Sequence, residues 1–264
     1  MDSWRLLTFG VYSAFMNMAI DETVLRARIE GQIPNTLRLY SWKPSAVSVG
    51  RFQNVENEVN LDECRREGVD VVRRISGGGT VYHDSKGEIT YCLVAKTTDL
   101  GSTDVAVVYT RVYAGIVEAL KMLGIVADFS PGNVKNCPNL TVRGKKISGS
   151  SQANRMGYTL QHGTLLLTVD LERMFTFLQV PWAKTRMEVV NVARERITSL
   201  EIERRPAIIL QEFNSMLVKG FANTFGVEFQ EADISPRELE FAEKLCKEKY
   251  SADEWNLGGK TSFS

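Results

Sequence analysis

Along the first two-thirds of the chain, apolar residues recur with two different periods, one suited to strands and one to helices. Short β-type runs fall at residues 4–9, 36–40, 46–49, 69–72 and 88–95, and again at 140–142, 146–148 and 158–169. Between the second and third stands Trp42-Lys43-Pro44, which predicts a hairpin or a pair of adjacent strands. Helical spacing appears at 14–28, with Met18, Val24 and Leu25 on its apolar face, and at 105–123, closed by Gly124. Asn60-Leu61-Asp62-Glu63 predicts a helix start, and Gly68 its end. From Leu171 onward the pattern is mostly helical, most clearly at 207–225. Ser235-Pro236-Arg237-Glu238 combines a capping box with proline at the first helical position. Residues 258–264 are expected to fray. Strands interleaved with helices predict an α/β (α+β) fold: a main domain over 1–230, with 231–264 as its helical extension.

Composition narrows the function classes. The 264 residues are 44% hydrophobic and 24% charged, and 32 Lys plus Arg balance 32 Asp plus Glu. No global field recruits nucleic acid or an anionic membrane, so an anionic ligand needs a local cluster of positive groups. Cys64, Cys92, Cys137 and Cys246 form no CxxC pair, which argues against a disulfide framework or structural zinc. No signal-peptide core and no apolar run near the ~20 residues of a membrane helix is present, so a reduced, cytoplasmic protein is expected.

Three segments carry candidate chemistry. Arg73-Arg74-Ile75-Ser76-Gly77-Gly78-Gly79-Thr80-Val81-Tyr82-His83-Asp84 places three glycines between two strands. Such a loop can wrap a ligand and aim its N–H groups at an anion, with Arg73 or Arg74 adding a charge-assisted contact. It is neither a Walker loop nor a dinucleotide fingerprint. Taken alone, three glycines favour a plain glycine-rich hairpin with solvated arginines; the full string of twelve residues does not. Gly144-Lys145-Lys146-Ile147-Ser148-Gly149-Ser150-Ser151-Gln152 offers a lysine point charge followed by small residues. Gln161-His162-Gly163-Thr164 opens an apolar strand, and the chain's two histidines, His83 and His162, both fall in these segments. Cys92, on a strand, reads as core.

Together these strings resemble the superfamily of lipoate–protein ligases, octanoyltransferases and biotin protein ligases, and the lipoate–protein ligase group most of all. The similarity extends to Asn17-Met18-Ala19-Ile20-Asp21-Glu22, to Val49-Gly50-Arg51-Phe52-Gln53-Asn54 and to Lys249 through Asn256, in order along nearly the whole chain. The resemblance implies a mixed β-sheet flanked by helices, with residues 1–230 as the acyl-binding and transfer domain. It implies that Lys146 is catalytic, a buried ammonium contacting carboxyl and phosphate oxygens. It implies substrate-binding roles for Arg73, Arg74, Ser76, Gly77, Gly78, Gly79, Thr80, Val81 and His83, and for Ser148, Gly149, Ser150, His162, Gly163 and Thr164.

The activity the resemblance implies first is ATP-dependent lipoate–protein ligation. Lipoate would be activated with ATP and Mg²⁺ as lipoyl-AMP, then passed to a lysine of a lipoyl carrier domain, either a dehydrogenase E2 subunit or a glycine-cleavage H protein. No residue identifies itself as the base for that lysine. Two departures open an alternative. The family's ligases carry an aspartate for the metal seven residues before the lysine, where this chain has Asn139, which lacks the charge. Cys137 lies near the place where some octanoyltransferases of the superfamily use a nucleophile, although the surrounding residues and loop length match that subgroup poorly and it reads more readily as an incidental loop cysteine. The alternative is therefore octanoyl transfer from acyl carrier protein, possible through Cys137. A second alternative is a non-catalytic acyl-binding module; biotin ligation fits less well. The chain ends where many ligases continue into an accessory domain, so a separate small accessory subunit is a further expected partner.

Overall fold

The computed structural model describes residues 3–132, 138–204 and 208–259. In chain order the first half runs β1 (Ser3–Tyr12), α1 (Ala14–Ile29), β2 (Thr36–Trp42), β3 (Ala46–Val49), α2 (Val55–Glu58), α3 (Leu61–Glu67), β4 (Asp70–Arg73), β5 (Val81–His83), β6 (Glu88–Lys96) and α4 (Val105–Met122). The second half runs β7 (Asp128–Ser130), β8 (Asn139–Val142), β9 (Lys145–Arg155), β10 (Tyr158–Leu166), α5 (Leu171–Phe177), α6 (Arg186–Arg194), α7 (Leu200–Glu203), α8 (Leu210–Phe225), β11 (Glu228–Ala232), α9 (Pro236–Leu245) and α10 (Asp253–Asn256).

Two sheets result. The large one has the order β11-β1-β2-β6-β10-β9-β8-β7, and the small one β4-β3-β5. On the large sheet β1 runs parallel to β2 and β11, while the β2–β6–β10–β9–β8–β7 run is antiparallel throughout. One face packs on α4 and α8, where Val112, Ile116, Leu120, Phe213 and Phe221 join the strand residues Leu37, Tyr91 and Leu93. The other face packs on α1 and α9 through Met18, Leu25, Trp42, Val94, Leu160 and Leu245. Burial of each large apolar side chain contributes about 1.5–3 kcal/mol, so these two layers hold the platform.

Two expectations are corrected. The strands at 36–40 and 46–49 form no hairpin: β2 pairs with β1 and β6, whereas β3 pairs with β4 and β5 in the other sheet. The Lys43-Pro44 peptide between them is cis. The tail is not wholly helical either, because β11 adds a parallel edge strand to β1. Its mostly exposed residues show no alternating apolar face to announce it.

The C-terminal segment is tied back by charge. Arg5 makes a bidentate pair with Glu238 at 2.7 and 2.9 Å, and Glu238 also completes the capping box with Ser235 that begins α9. Lys249 and Tyr250 both donate to buried Glu22 of α1 at 2.6 Å. Helix α1 thus buries acids as well as an apolar face, which its sequence period hides. Gly258 and Gly259, expected to fray, are held: Gly259 donates to the Trp255 carbonyl and accepts from Arg51 at 2.9 Å. Residues 260–264 lie outside the described residues.

Candidate active site

The small sheet folds over the large one, and the seam between them is a cavity of about 380 Å³. Tyr40 and Trp42 of β2, Ser48 of β3, Val81 and His83 of β5, and Thr90 of β6 line it, together with Met18 of α1. Pro138, Asn139, Lys146, Gly149, Ser150, Ser151, His162, Gly163 and Thr164 complete the wall from β8 to β10, and Arg74, Gly78, Gly79 and Thr80 form its glycine-loop side. Of the residues expected at the site, Arg73, Ser76, Gly77 and Ser148 do not line the cavity. Cys137 lies outside the described residues.

The two arginines divide between structure and site. Arg73 is 2% exposed. Its guanidinium donates to the carbonyls of Trp255, Gly50, Gln53 and Leu257 at 2.8–3.1 Å. It therefore clamps the C-terminal segment and stands outside the cavity lining, where its motif led a ligand contact to be expected. Arg74 faces the cavity, but it also holds the loop: Nη2 donates to Gly77 O and Gly79 O at 2.8 Å, and Nη1 to Ser48 O and Oγ at 2.9 Å. The loop is fixed through its carbonyls, so its conformation is set before any ligand arrives. Gly78 is the one of the three with a left-handed backbone, φ 87°. A methyl at Gly50 would sit 2.1 Å from Gly78 O, so two glycines are needed where these chains pass.

Each histidine is mounted on a buried acid. His162 Nδ1 lies 2.9 Å from Asp21 Oδ2, and Nε2 lies 2.6 Å from Ser76 Oγ. His83 Nδ1 lies 2.6 Å from Glu88 Oε1, and Nε2 lies 2.7 Å from Ser48 Oγ. A carboxylate accepts only, so Nδ1 carries the proton in both rings and Nε2 accepts from the serine hydroxyl. Trp42 stacks on the His83 ring at 3.9 Å. Burial, with Arg74 and His83 adding, holds the His162 imidazole below its ordinary range against the pull of Asp21. Burial alone would raise Asp21, yet Arg38 and His162 hold its carboxyl below the usual value. Cys92 joins Asp21 and His162 in a tight buried group, with its thiol pushed far up by burial. Arg38 Nη1, 2.6 Å from Asp21, makes that group a poor cation site.

Lys146 lines the cavity but is exposed, not the buried ammonium expected. Its backbone is fixed from both sides, donating to Arg196 O at 2.8 Å and accepting from Thr198 N at 2.9 Å. Its amine lies over Gly149, where a methyl would come within 2.8 Å of Nζ. Gly163 is equally constrained, since a methyl there would meet Gly149 O at 2.6 Å. Ser148 is buried with no partner for its Oγ among the described residues. No aspartate or glutamate lines the cavity among the described residues, and Asn139 supplies an amide where the ligase motif has an acid. Residues 133–137, Asn-Val-Lys-Asn-Cys, include no acid either. Mg²⁺ prefers carboxylate and phosphate oxygens, so this donor set does not suit a protein-held metal.

Met18, Tyr40, Trp42, Ser48, Thr90, Pro138 and Ser151 also line the cavity without a chemical signal in the sequence, because only the seam between the sheets brings them together.

A mixed sheet with a smaller sheet folded over a cationic cavity is the catalytic-domain fold of lipoate ligases, and the chain shares it with solved examples. The bipartite lipoate protein ligase of an archaeal lipoylation system from Thermoplasma acidophilum superposes with a TM-score of 0.84 at 30% identity, covering 99% of both chains. A lipoate-protein ligase A bound with ATP matches with a TM-score of 0.84 at 29% identity, covering 98% of this chain and 100% of that one. The chain belongs to the family of lipoyl protein ligase A/B catalytic domains, whose model matches residues 13–222. Among curated relatives, octanoyltransferase LipM of Brevibacillus brevis is 34% identical over 97% of this chain and 99% of its own. Octanoyltransferase LipM of Bacillus subtilis is 30% identical over 97% and 98%. The chain is thus an enzyme of the lipoate and octanoate branch. Among the described residues, no helix is long and apolar enough to cross a membrane.

Proposed function

We propose that this enzyme is an octanoyltransferase of the cytoplasm, moving octanoyl from the thioester of acyl carrier protein to a lysine of a lipoyl carrier domain. The carrier is the E2 subunit of a dehydrogenase or the glycine-cleavage H protein. The observation that carries the reading is that relatives matched over nearly their whole length are octanoyltransferases. The cavity agrees with it. Transfer between thioester and amine needs no metal, and among the described residues no carboxylate lines the cavity to hold one. Met18, Tyr40, Trp42 and Val81 supply an apolar wall for the chain, and Lys146 supplies the charge at its carboxyl end.

Attack on a thioester carbonyl develops negative charge on oxygen. An ammonium on a strand with a fixed backbone stabilises that charge. We assign this role to Lys146, with the glycine loop, Ser150, Gly163 and Thr164 enclosing the acyl group. Cys137, one residue before cavity-lining Pro138 in the sequence, is the proposed acceptor of the acyl group from the donor, since a thiol can exchange with a thioester. The second reading, ATP-dependent lipoate ligation by a catalytic subunit with a separate small accessory subunit, draws support from the likeness to ligase structures.

One experiment separates them. The enzyme is incubated with carrier domain and either octanoyl acyl carrier protein, or lipoate, ATP and Mg²⁺, each with and without a candidate accessory subunit. Intact-mass measurement then scores the carrier. Octanoylation in the first mixture, with a covalent octanoyl adduct that Cys137→Ala removes, is the expected result. Lipoylation only in the second mixture refutes the transferase reading.

A further inference from the structure

The carrier lysine arrives as an ammonium ion. With an ordinary lysine pKa near 10.4, only on the order of one amine in a thousand is neutral at pH 7. The site therefore needs a proton acceptor, and Lys146 and Arg74 are donors only. Among the described cavity-lining residues, the imidazoles of His83 and His162 are the groups built to accept one.

The two rings have the same mounting and opposite charge balance. Asp21, behind His162, is already matched by Arg38 at 2.6 Å and accepts from Tyr40 at 2.9 Å. A proton on His162 would be a surplus buried charge facing Arg74 and His83, consistent with its depressed basicity. Glu88, behind His83, is 2% exposed, and its Oε2 has no partner. Its other side-chain donor is the neutral Thr90 hydroxyl at 3.1 Å. Among the described residues no lysine or arginine pairs with it; His83 is its single ion-pair partner. Among the described residues Glu88 thus has no cationic side chain beside it except the His83 ring, whereas Asp21 already has Arg38.

A path leads from the cavity to that ring. Ser48 Oγ accepts from Arg74 Nη1 at 2.9 Å, which turns the hydroxyl proton toward His83 Nε2 at 2.7 Å. Ser48 stands in the cavity wall, fully buried beneath it, and its oxygen has a second lone pair for an N–H that approaches closely. The charged and titratable groups facing His83 are Glu88 on β6, Arg74 beyond β4 (through Ser48) and His162 on β10.

We propose that His83, backed by Glu88 and reached through the Ser48 hydroxyl, takes the proton that frees the carrier lysine's amine, while His162 stays neutral and positions Ser76. The inference rests on the octanoyl-transfer reading. One of the three ammonium protons passes through Ser48 to His83 Nε2 and on to water. The neutral nitrogen then forms the C–N bond. As the C–S bond breaks, the second proton goes to the departing thiolate, and the third stays on the new amide.

The test compares His83→Gln, Glu88→Gln and wild type in single-turnover transfer from octanoyl acyl carrier protein to the carrier domain, across pH. Hydroxylamine, neutral at pH 7, serves as an alternative acceptor, and thermal melting is run in parallel. His83→Gln is expected to lose about 10²–10⁴-fold at pH 7. The deficit should close by about tenfold per pH unit toward the lysine pKa, and hydroxamate should form at the wild-type rate. Glu88→Gln should show the same pattern with a smaller loss. Wild-type rates in both variants at pH 7 overturn the proposal. So does a loss that is constant with pH and shared by hydroxylamine, since that marks a structural role. Failure of the octanoyl-transfer reading shows separately, as a wild-type enzyme inactive with this donor. The same comparison is then made with lipoate, ATP and Mg²⁺, because the acceptor lysine needs a base with either activated acid.

Discussion

Replacing Gly149 with alanine tests the position of the Lys146 amine without removing it. The new methyl would lie 2.8 Å from both Cε and Nζ of Lys146, against an ordinary contact of 3.4–4 Å. The amine must therefore withdraw by roughly 0.6–1.2 Å, and a misplacement of about 1 Å at a reacting centre costs on the order of 10²-fold in rate. That corresponds to about 2.7 kcal/mol of transition-state stabilisation. Stability should change little, because what yields is the far end of a flexible side chain rather than backbone. Gly163→Ala is the contrast: its methyl meets Gly149 O and Ser150 Cβ at 2.6 Å, on strands that cannot move apart cheaply. It should cost about 1–3 kcal/mol of folding stability. The assay is single-turnover octanoyl transfer combined with melting, on Gly149→Ala, Lys146→Ala and the double variant. Lys146→Ala should abolish most transfer, and adding Gly149→Ala should then cost nothing further, since both act through one group. A Gly149→Ala enzyme within twofold of wild type refutes the placement. A further loss in the double variant would show that the methyl blocks the acyl chain instead.

Three further outcomes follow from the same geometry. Arg73→Ala strips the charged donors from the carbonyls of Gly50, Gln53, Trp255 and Leu257, and should cost about 3 kcal/mol or more; limited proteolysis should then cut ahead of Trp255, and a melting point unchanged from wild type would refute the clamp. Because the His162 imidazole is held below its ordinary range, the unfolded chain binds its proton first as pH falls, so stability should drop between about pH 7 and 5. Urea midpoints should show that slope, and His162→Asn should flatten it; an equal slope in the variant removes His162 as its source. Shortening the donor from octanoyl to butanoyl removes four methylenes from the Met18, Tyr40, Trp42 and Val81 wall. At about 0.8 kcal/mol each, kcat/KM should fall roughly 200-fold; a ratio near one would place the chain elsewhere.

How legible the site was in the sequence depended on whether its parts lie close along the chain. The glycine loop, Lys146 and His162 sit in compact strings, and the string alone marked them. Arg73 and Arg74 are neighbours in one string, yet one clamps a tail almost two hundred residues away and the other faces the cavity. Nothing local distinguishes them, because which one turns inward depends on where β4 ends and where α10 packs. The acids behind the histidines were less visible still. Asp21 meets His162 across 141 positions. Glu88 stands five residues from His83 but reaches it only because β5 and β6 lie in different sheets with the seam between them. For the same reason β2 and β3 read as a hairpin, although the chain changes sheet between them. Helix α1 concealed its buried Asn17, Asp21 and Glu22, since a period of apolar residues says nothing about acids whose partners come from β2 and the C-terminal segment.

If the enzyme is the proposed octanoyltransferase, its charge arrangement explains how a ligase-like fold suits transfer without adenylation. Joining a free carboxylate to ATP brings several negative charges together, and a metal held by acidic side chains normally offsets them. Here Asn139 stands at the cavity wall without a charge, and the buried acids Asp21 and Glu88 each stand behind a histidine. Arg74 is largely committed to the carbonyls of its own loop and to Ser48. Among the described residues Lys146 is the other cation that lines the cavity, and it is assigned the developing oxyanion, a demand that a thioester makes and a phosphoanhydride exceeds. Restoring the acid is therefore informative in one direction. Asn139→Asp places a carboxylate beside Lys146, where it should draw on the charge that the oxyanion needs. Octanoyl transfer should fall in that variant, by roughly tenfold for each 1.4 kcal/mol of stabilisation lost. If transfer instead held level while Mg²⁺-dependent lipoyl-AMP formation appeared, the argument that the missing acid separates the two chemistries would stand only for the metal. Lys146 would then have to be assigned to both reactions alike.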